Sequence, residues 1–154
     1  MSDPDDPGGP GSLPGGPATV ALADEQCIPV DRDALLHAAR RTMDELNMRG
    51  ELSLALVDST RIAGLKRDYY GEAAVTDVLS FPMDGPGGPT IGDVVICPAV
   101  ARRQARGLGL SLDDEIRQLT VHGILHLAGR DHATPANEIA MAAEERRIIA
   151  AMSA

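Results

Sequence analysis

Three of the four histidines in this chain fall within VHGILHLAGRDH, residues 121–132. His122 and His126 are spaced i, i+4, so on a helix both rings leave the same face one turn apart. Gly129 follows two residues after Leu127 and is of the type that closes helices in the left-handed conformation. The chain then turns through Arg130 and Asp131 and presents His132. Two imidazoles on a helix face and a third just beyond its end can converge on one ion. Neutral imidazole suits zinc, and three protein ligands leave a fourth position for water, as in catalytic rather than closed structural sites.

A single histidine on an apolar helix is more often a hydrogen-bonded core residue than a ligand, and an i, i+4 pair can be coincidence. The third histidine past the glycine stop, in a chain otherwise poor in histidine, favours metal. His37, among polar residues of an early helix, is assigned to the surface.

The elements that must position this cluster follow from periodicity and stop signals. Residues 1–17, MSDPDDPGGPGSLPGGP, have almost nothing to bury and read as a disordered tail; residues 18–154 read as one domain. ATVAL (18–22) is a short strand. Asp31 caps a helix with Leu35, Ala39, Met43 and Leu46 on one face, expected to close at Gly50. LSLALV (52–57) is a second strand, and a helix runs from Ser59 to about Tyr70 with Ile62, Leu65 and Tyr69 inward. DVLSF (77–81) is a strand stopped by Pro82, the DGPGGP loop (84–89) is expected to be mobile, and Ile91–Ile96 is a fourth strand. Pro98 sits in the first turn of a helix over about 99–107. Ser111 with Asp114 resembles a capping box opening the histidine helix. That helix is apolar on nearly every face, as a central buried helix is. Thr134 and Pro135 start a last helix whose Ile148 and Ile149 pack back on the core. The fold class is α+β: a small mixed β-sheet packed with about five helices, the central buried one carrying the metal histidines.

Composition sets limits. The length of 154 residues suits one domain with a real core, and the near absence of aromatics (Tyr69, Tyr70 and Phe81 only) leaves that core to Leu, Ile, Val, Ala and Met. No apolar run approaches a membrane span, and the N-terminus lacks the layout of a secretory signal, so a cytoplasmic protein without a membrane partner is expected. Cys27 and Cys97 lie far apart without C-x-x-C spacing and read as free thiols. The formal net charge of −9 is awkward for a nucleic-acid protein, because phosphate affinity comes largely from Lys and Arg. Asp3, Asp5 and Asp6 account for part of it. The local basic groups at Arg40–Arg41, Lys66–Arg67 and Arg102–Arg103–Arg106 each read first as solvated helix faces.

HGILHLAGRDH resembles the H-G-x-L-H-L-x-G-x-D-H signature of the YbeY family of bacterial endoribonucleases, formerly grouped as predicted metalloproteases. Two upstream blocks agree in order, TDVLSFPMD at 76–84 and GDVVICPAV at 92–100, and the resemblance extends from about Val20 to the C-terminus. It implies one zinc ion held by His122, His126 and His132. It also implies cleavage of single-stranded RNA, maturation of ribosomal RNA (notably the small-subunit 3′ end) and ribosome quality control. The implied partners are the small ribosomal subunit and its assembly factors. The chain departs from the family at YYGEAAVTD, where Tyr70 stands at the expected place of a functional arginine; Lys66 or Arg67 could supply charge from nearby.

The remaining candidates come from residue type. Asp131 has two roles open to it: orienting a ligand imidazole through its other ring nitrogen, or shaping the turn through its own backbone. Ser80 and Asp93 are candidates to border the cleft. Two rival functions stand beside the nuclease. A zinc peptidase of H-E-x-x-H type needs a glutamate where this chain has Gly123, so Glu138, Glu144 or Glu145 would have to fold close by. A ribosome assembly factor would use zinc only as a staple between helix and turn.

Overall fold

The computed structural model describes residues 17–84 and 89–152. The elements in order are β1 (Ala18–Glu25), α1 (Arg32–Glu45), β2 (Gly50–Val57), α2 (Ser59–Tyr70), β3 (Val78–Pro82), β4 (Thr90–Ile96), α3 (Pro98–Leu108), α4 (Leu112–Leu127) and α5 (Pro135–Met152). The strands form one mixed sheet in the order β1-β2-β4-β3, parallel except for the antiparallel β3–β4 pair. The expected α+β architecture, a small mixed sheet with five helices, is the one observed.

Residues alternate between the two faces of each strand, so the register sorts the sheet. Leu52, Leu54 and Leu56 of β2 lie beside Gly92, Val94 and Ile96 of β4, which in turn pair with Pro82, Ser80 and Val78 of β3. This face carries the main core, where Leu35, Ala39 and Met43 of α1 and Ile116, Leu119, Ile124 and Leu127 of α4 pack on the leucines. The other face presents Ala55, Val57, Val95, Leu79 and Phe81, covered in part by Ile62 and Leu65 of α2. A register shift between Glu51 and Leu52 inserts Ile91 as an extra residue on β4.

Capping explains most boundaries. Asp31, Asp58 and Ser111 each accept a backbone N–H three residues on. At the end of α4, Gly129 is left-handed (φ 90°), its N–H donates to His126 O and that of Arg130 to Leu125 O. This paired pattern ends the helix with its last carbonyls satisfied.

Four expectations require correction. α1 stops at Glu45 because Asn47 takes the left-handed turn (φ 54°), leaving Gly50 (φ 106°) to open β2. α3 runs past the expected end at Gly107 to Leu108 and closes at left-handed Gly109. Pro82 ends β3 as its last residue rather than from just beyond it, tolerated because β3 is an edge strand. Tyr69 does not face inward; it is 68% exposed. Residues 1–16 of the tail and 85–88 of the glycine-rich loop lie outside the described residues. His37 is exposed, Ile148 is buried, and Cys27 and Cys97 are free thiols.

α4 approaches the sheet at Gly123. A Cβ there would lie 2.7 Å from Val94 Cγ1 and 3.2 Å from Ser80 Oγ, both on the sheet face beneath. Real side chains do not pack so closely, so the helix–sheet spacing depends on this glycine. Gly123→Ala is expected to destabilise the fold by roughly 1–3 kcal/mol through overpacking. The midpoint of urea unfolding should fall at constant slope; an unchanged midpoint would show that α4 can lift off without cost.

Candidate metal centre

His122 and His126 lie on the last two turns of α4, and His132 lies five residues beyond its end at Leu127. The Gly129 stop folds the chain back so that all three rings meet. Ligand nitrogens from the three residues lie within 4.8 Å of one another, and the ring centroids are 4.6, 5.3 and 6.0 Å apart. His122 Nε2 and His126 Nε2 are 3.0 Å apart. A tetrahedral zinc with bonds of about 2.05 Å would set its ligands about 3.3 Å apart, so this spacing fits the ion.

Two further observations support that fit. His122 Nδ1 is 2.5 Å from Glu145 Oε1 on α5. A carboxylate only accepts, so Nδ1 is the donor, and Nε2 is the nitrogen left facing the other histidines. The pKa of His126 is lowered by burial first, and then by His122 and His132 beside it. Its ring is thereby held in the uncharged, ligand-competent form.

The neighbouring Glu144 holds the turn. Arg130 donates to it through Nε (3.0 Å) and Nη2 (3.1 Å), and through Nη1 to Ala128 O. This fork-like pairing raises the Arg130 pKa. Consecutive glutamates of α5 therefore fix both halves of the site, Glu145 the helix histidine and Glu144 the turn that delivers His132.

Of Asp131's two open roles, the carboxylate is engaged in the second. Oδ1 accepts from Ala133 N (3.2 Å) and Asn137 Nδ2 (2.9 Å), which, ahead of the nearby histidines, hold its pKa below the usual carboxylate range. The imidazole-orienting carboxylate is Glu145, considered from sequence only as a stand-in base. Its partner is 23 residues away, and no local pattern marks the pair.

The histidines open onto a cleft of about 390 Å³, walled by Tyr70, Thr76, Asp77 and Ser80. Ser80 borders it as expected, donating through Oγ to Gly123 O (3.0 Å). Asp93 does not. It pairs with Phe81 on β3, one residue out of phase with Ser80, so strand alternation sends it to the opposite face of the sheet. Among the described residues the cleft lining includes no lysine or arginine: Lys66 and Arg67 lie elsewhere, and Arg67 pairs with Asp68.

A family model for the endoribonuclease YbeY matches residues 21–153. The chain belongs to the YbeY family. Curated members include the endoribonuclease YbeY of Salinispora tropica, 43% identical over 86% of this chain and 94% of that protein. The endoribonuclease YbeY of Thermobifida fusca is 46% identical over 76% of this chain and 83% of its own length. The solution structure of a Thermotoga maritima protein shares the fold with a TM-score of 0.61 at 22% identity, covering 84% of this chain and 86% of that one.

Buried Glu115 lies seven residues before His122 on α4, and its pKa is raised by burial first and by Asp77 second. For an acid shifted upward, the folded state holds the proton more tightly than the unfolded state. Its contribution is therefore most favourable at low pH and is lost as pH climbs from the ordinary glutamate range through the raised folded value. Glu115→Gln should flatten that part of the stability curve and raise Tm at neutral pH; parallel slopes in the two proteins would refute the assignment. Glu145→Ala should weaken metal affinity by roughly 10- to 100-fold while leaving metal-free stability nearly unchanged. Titration with a competing chelator and metal-free melting together test this.

Proposed function

We propose that this protein is a metal-dependent endoribonuclease, with His122, His126 and His132 as the ligands of one zinc ion. The observation that carries the reading is three convergent imidazoles, one already oriented by Glu145. When bound, zinc supplies Lewis acidity toward a phosphoryl oxygen and lowers the pKa of a water to about 7. Glu145 keeps the lone pair of His122 turned inward, and the Arg130–Glu144 pair holds the segment carrying His132. Ser80 and Thr76 place hydroxyls at the cleft wall. With no lysine or arginine among the described residues of that lining, the negative charge of a phosphodiester would be met at the three-histidine site itself.

The family relatives bear the name endoribonuclease, which supports RNA as the substrate. An open cleft beside an edge strand suits a single strand better than a duplex. The finer assignments rest on membership: residues 18–154 acting as one domain, maturation of the small-subunit ribosomal RNA 3′ end, and quality control with the small subunit and its assembly factors in the cytoplasm. Among the described residues no helix is long and apolar enough to cross a membrane.

The peptidase alternative loses its main support at Gly123. A glutamate in that position would drive its Cβ into Val94. Glu145, the nearest substitute, is committed to His122 Nδ1.

Elemental analysis should find one zinc per chain, and the loaded protein should cut single-stranded RNA in a chelator-sensitive way. His126→Ala should lose metal and at least about a hundredfold of the cleavage rate together. Intact RNA after exposure to verified zinc-loaded protein would favour the metal-stapled assembly factor. Cutting of an unstructured protein instead would favour the peptidase. Undiminished RNA cleavage by His126→Ala would point to a contaminating nuclease.

A further inference from the structure

The chain has three aromatic residues, two tyrosines and one phenylalanine, with no tryptophan. All three meet at one place. The Tyr69 and Phe81 ring centroids are 4.8 Å apart, and those of Tyr70 and Phe81 are 5.9 Å apart. Aromatic rings normally go into the core, where they bury large apolar areas. Here Tyr69 is 68% and Tyr70 55% exposed. Their position is nonetheless fixed: Tyr70 Oη donates to Ser80 O at 3.0 Å, and Phe81 anchors both rings on β3.

The cluster straddles the edge of the sheet. Ser80 faces the histidine cleft, and Phe81 faces a second groove of about 580 Å³ on the other side, which also holds Leu65, Val95 and Arg61. Tyr70 lines both. A phosphodiester at the histidines would therefore have its neighbouring nucleotide within reach of the Tyr70 ring and the groove behind it.

From this juxtaposition we propose that Tyr69, Tyr70 and Phe81 form a stacking platform that holds an unpaired base of the RNA strand next to the three-histidine site. The inference rests on the nuclease reading and names how that site takes its substrate. Stacking is indifferent to charge, and with a formal net charge of −9 the chain is poorly suited to hold RNA through phosphate attraction alone. Bases within a duplex have no free face to offer, so the platform also selects for single strands. The groove is unsuited to a purely apolar occupant, because Glu25 and Asp93 bring carboxylates into its lining. A base, with an apolar face and polar edges, matches that mixture.

The test measures binding separately from cleavage. Full-length protein kept in chelator is titrated against a fluorescein-labelled oligoadenylate and against an abasic oligomer of the same length. Tyr69→Ala and Tyr70→Ala should each weaken oligoadenylate binding by roughly 5- to 150-fold. Tyr69→Phe should stay close to wild type, since it keeps the ring, whereas Tyr70→Phe keeps the ring but loses its tether to Ser80 O and should fall between wild type and Tyr70→Ala. The abasic oligomer should bind weakly and alike to all five proteins. Both tyrosines belong to the platform, so the tyrosine fluorescence lifetime of the wild type should also change with oligoadenylate and not with the abasic strand. Alanine variants that bind oligoadenylate as the wild type does, or an abasic strand held as tightly as oligoadenylate, would overturn the platform. Ring-dependent binding by a protein that cuts no RNA when zinc-loaded would support the platform and sink the nuclease reading. Cleavage with ring-independent binding would do the reverse.

Discussion

The close approach of α4 to the sheet at Gly123 is the contact on which the site depends. It seats the helix on Val94 and lets Ser80 Oγ donate to the Gly123 carbonyl, so helix and edge strand are joined by packing and a hydrogen bond at one residue. Gly123 directly follows His122 and precedes His126 on the helix that carries both rings. A side chain at this point would lift the helix, and with it two of the three imidazoles, away from the strand that walls the cleft. The same steric fact shapes the chemistry. The position that carries the base in H-E-x-x-H peptidases is here in contact with the sheet, so the helical histidine pair has no glutamate next to it in sequence.

If the sheet fixes one side of α4, α5 fixes the other. Val121 and Leu125 of α4 bury against Met141 and Ile148 of α5. That packing brings Glu144 and Glu145 over the end of the histidine helix. Each then does something hydrophobic contact cannot: one fixes which ring nitrogen of His122 donates, and the other clamps the turn that carries His132.

The histidine cluster was legible in the sequence because its geometry is local. An i, i+4 pair, a glycine stop and a third histidine a few residues on leave little freedom once the helix forms. The strand and helix order was legible for the same reason, through capping residues and periodicity. What escaped depended on tertiary register or on partners distant in the chain. Asp93 and Ser80 lie in similar motif blocks, yet the antiparallel register of β3 and β4 puts them on opposite faces. Asn47 took the left-handed turn that Gly50 was expected to take, because Asn tolerates that region and Gly50 was needed to open β2. Helical spacing alone places Tyr69 inward. Leu65 occupies the inward place in that part of α2, and Tyr69 is left to lie over Phe81.

The edge strand β3 joins these parts into a single surface. Its two faces serve different ends: Val78 and Ser80 close the histidine cleft, while Leu79 and Phe81 belong to the apolar layer under α2. An exposed strand edge is ordinarily an aggregation hazard that proteins blunt with charge or proline. Here Pro82 ends the strand, and the Tyr70 hydroxyl caps the Ser80 carbonyl on the open edge. One tyrosine thus satisfies a backbone acceptor that would otherwise seek another strand, and its tethered ring stands at the histidine cleft. Structural protection of the edge and display of an aromatic face are consequences of the same hydrogen bond.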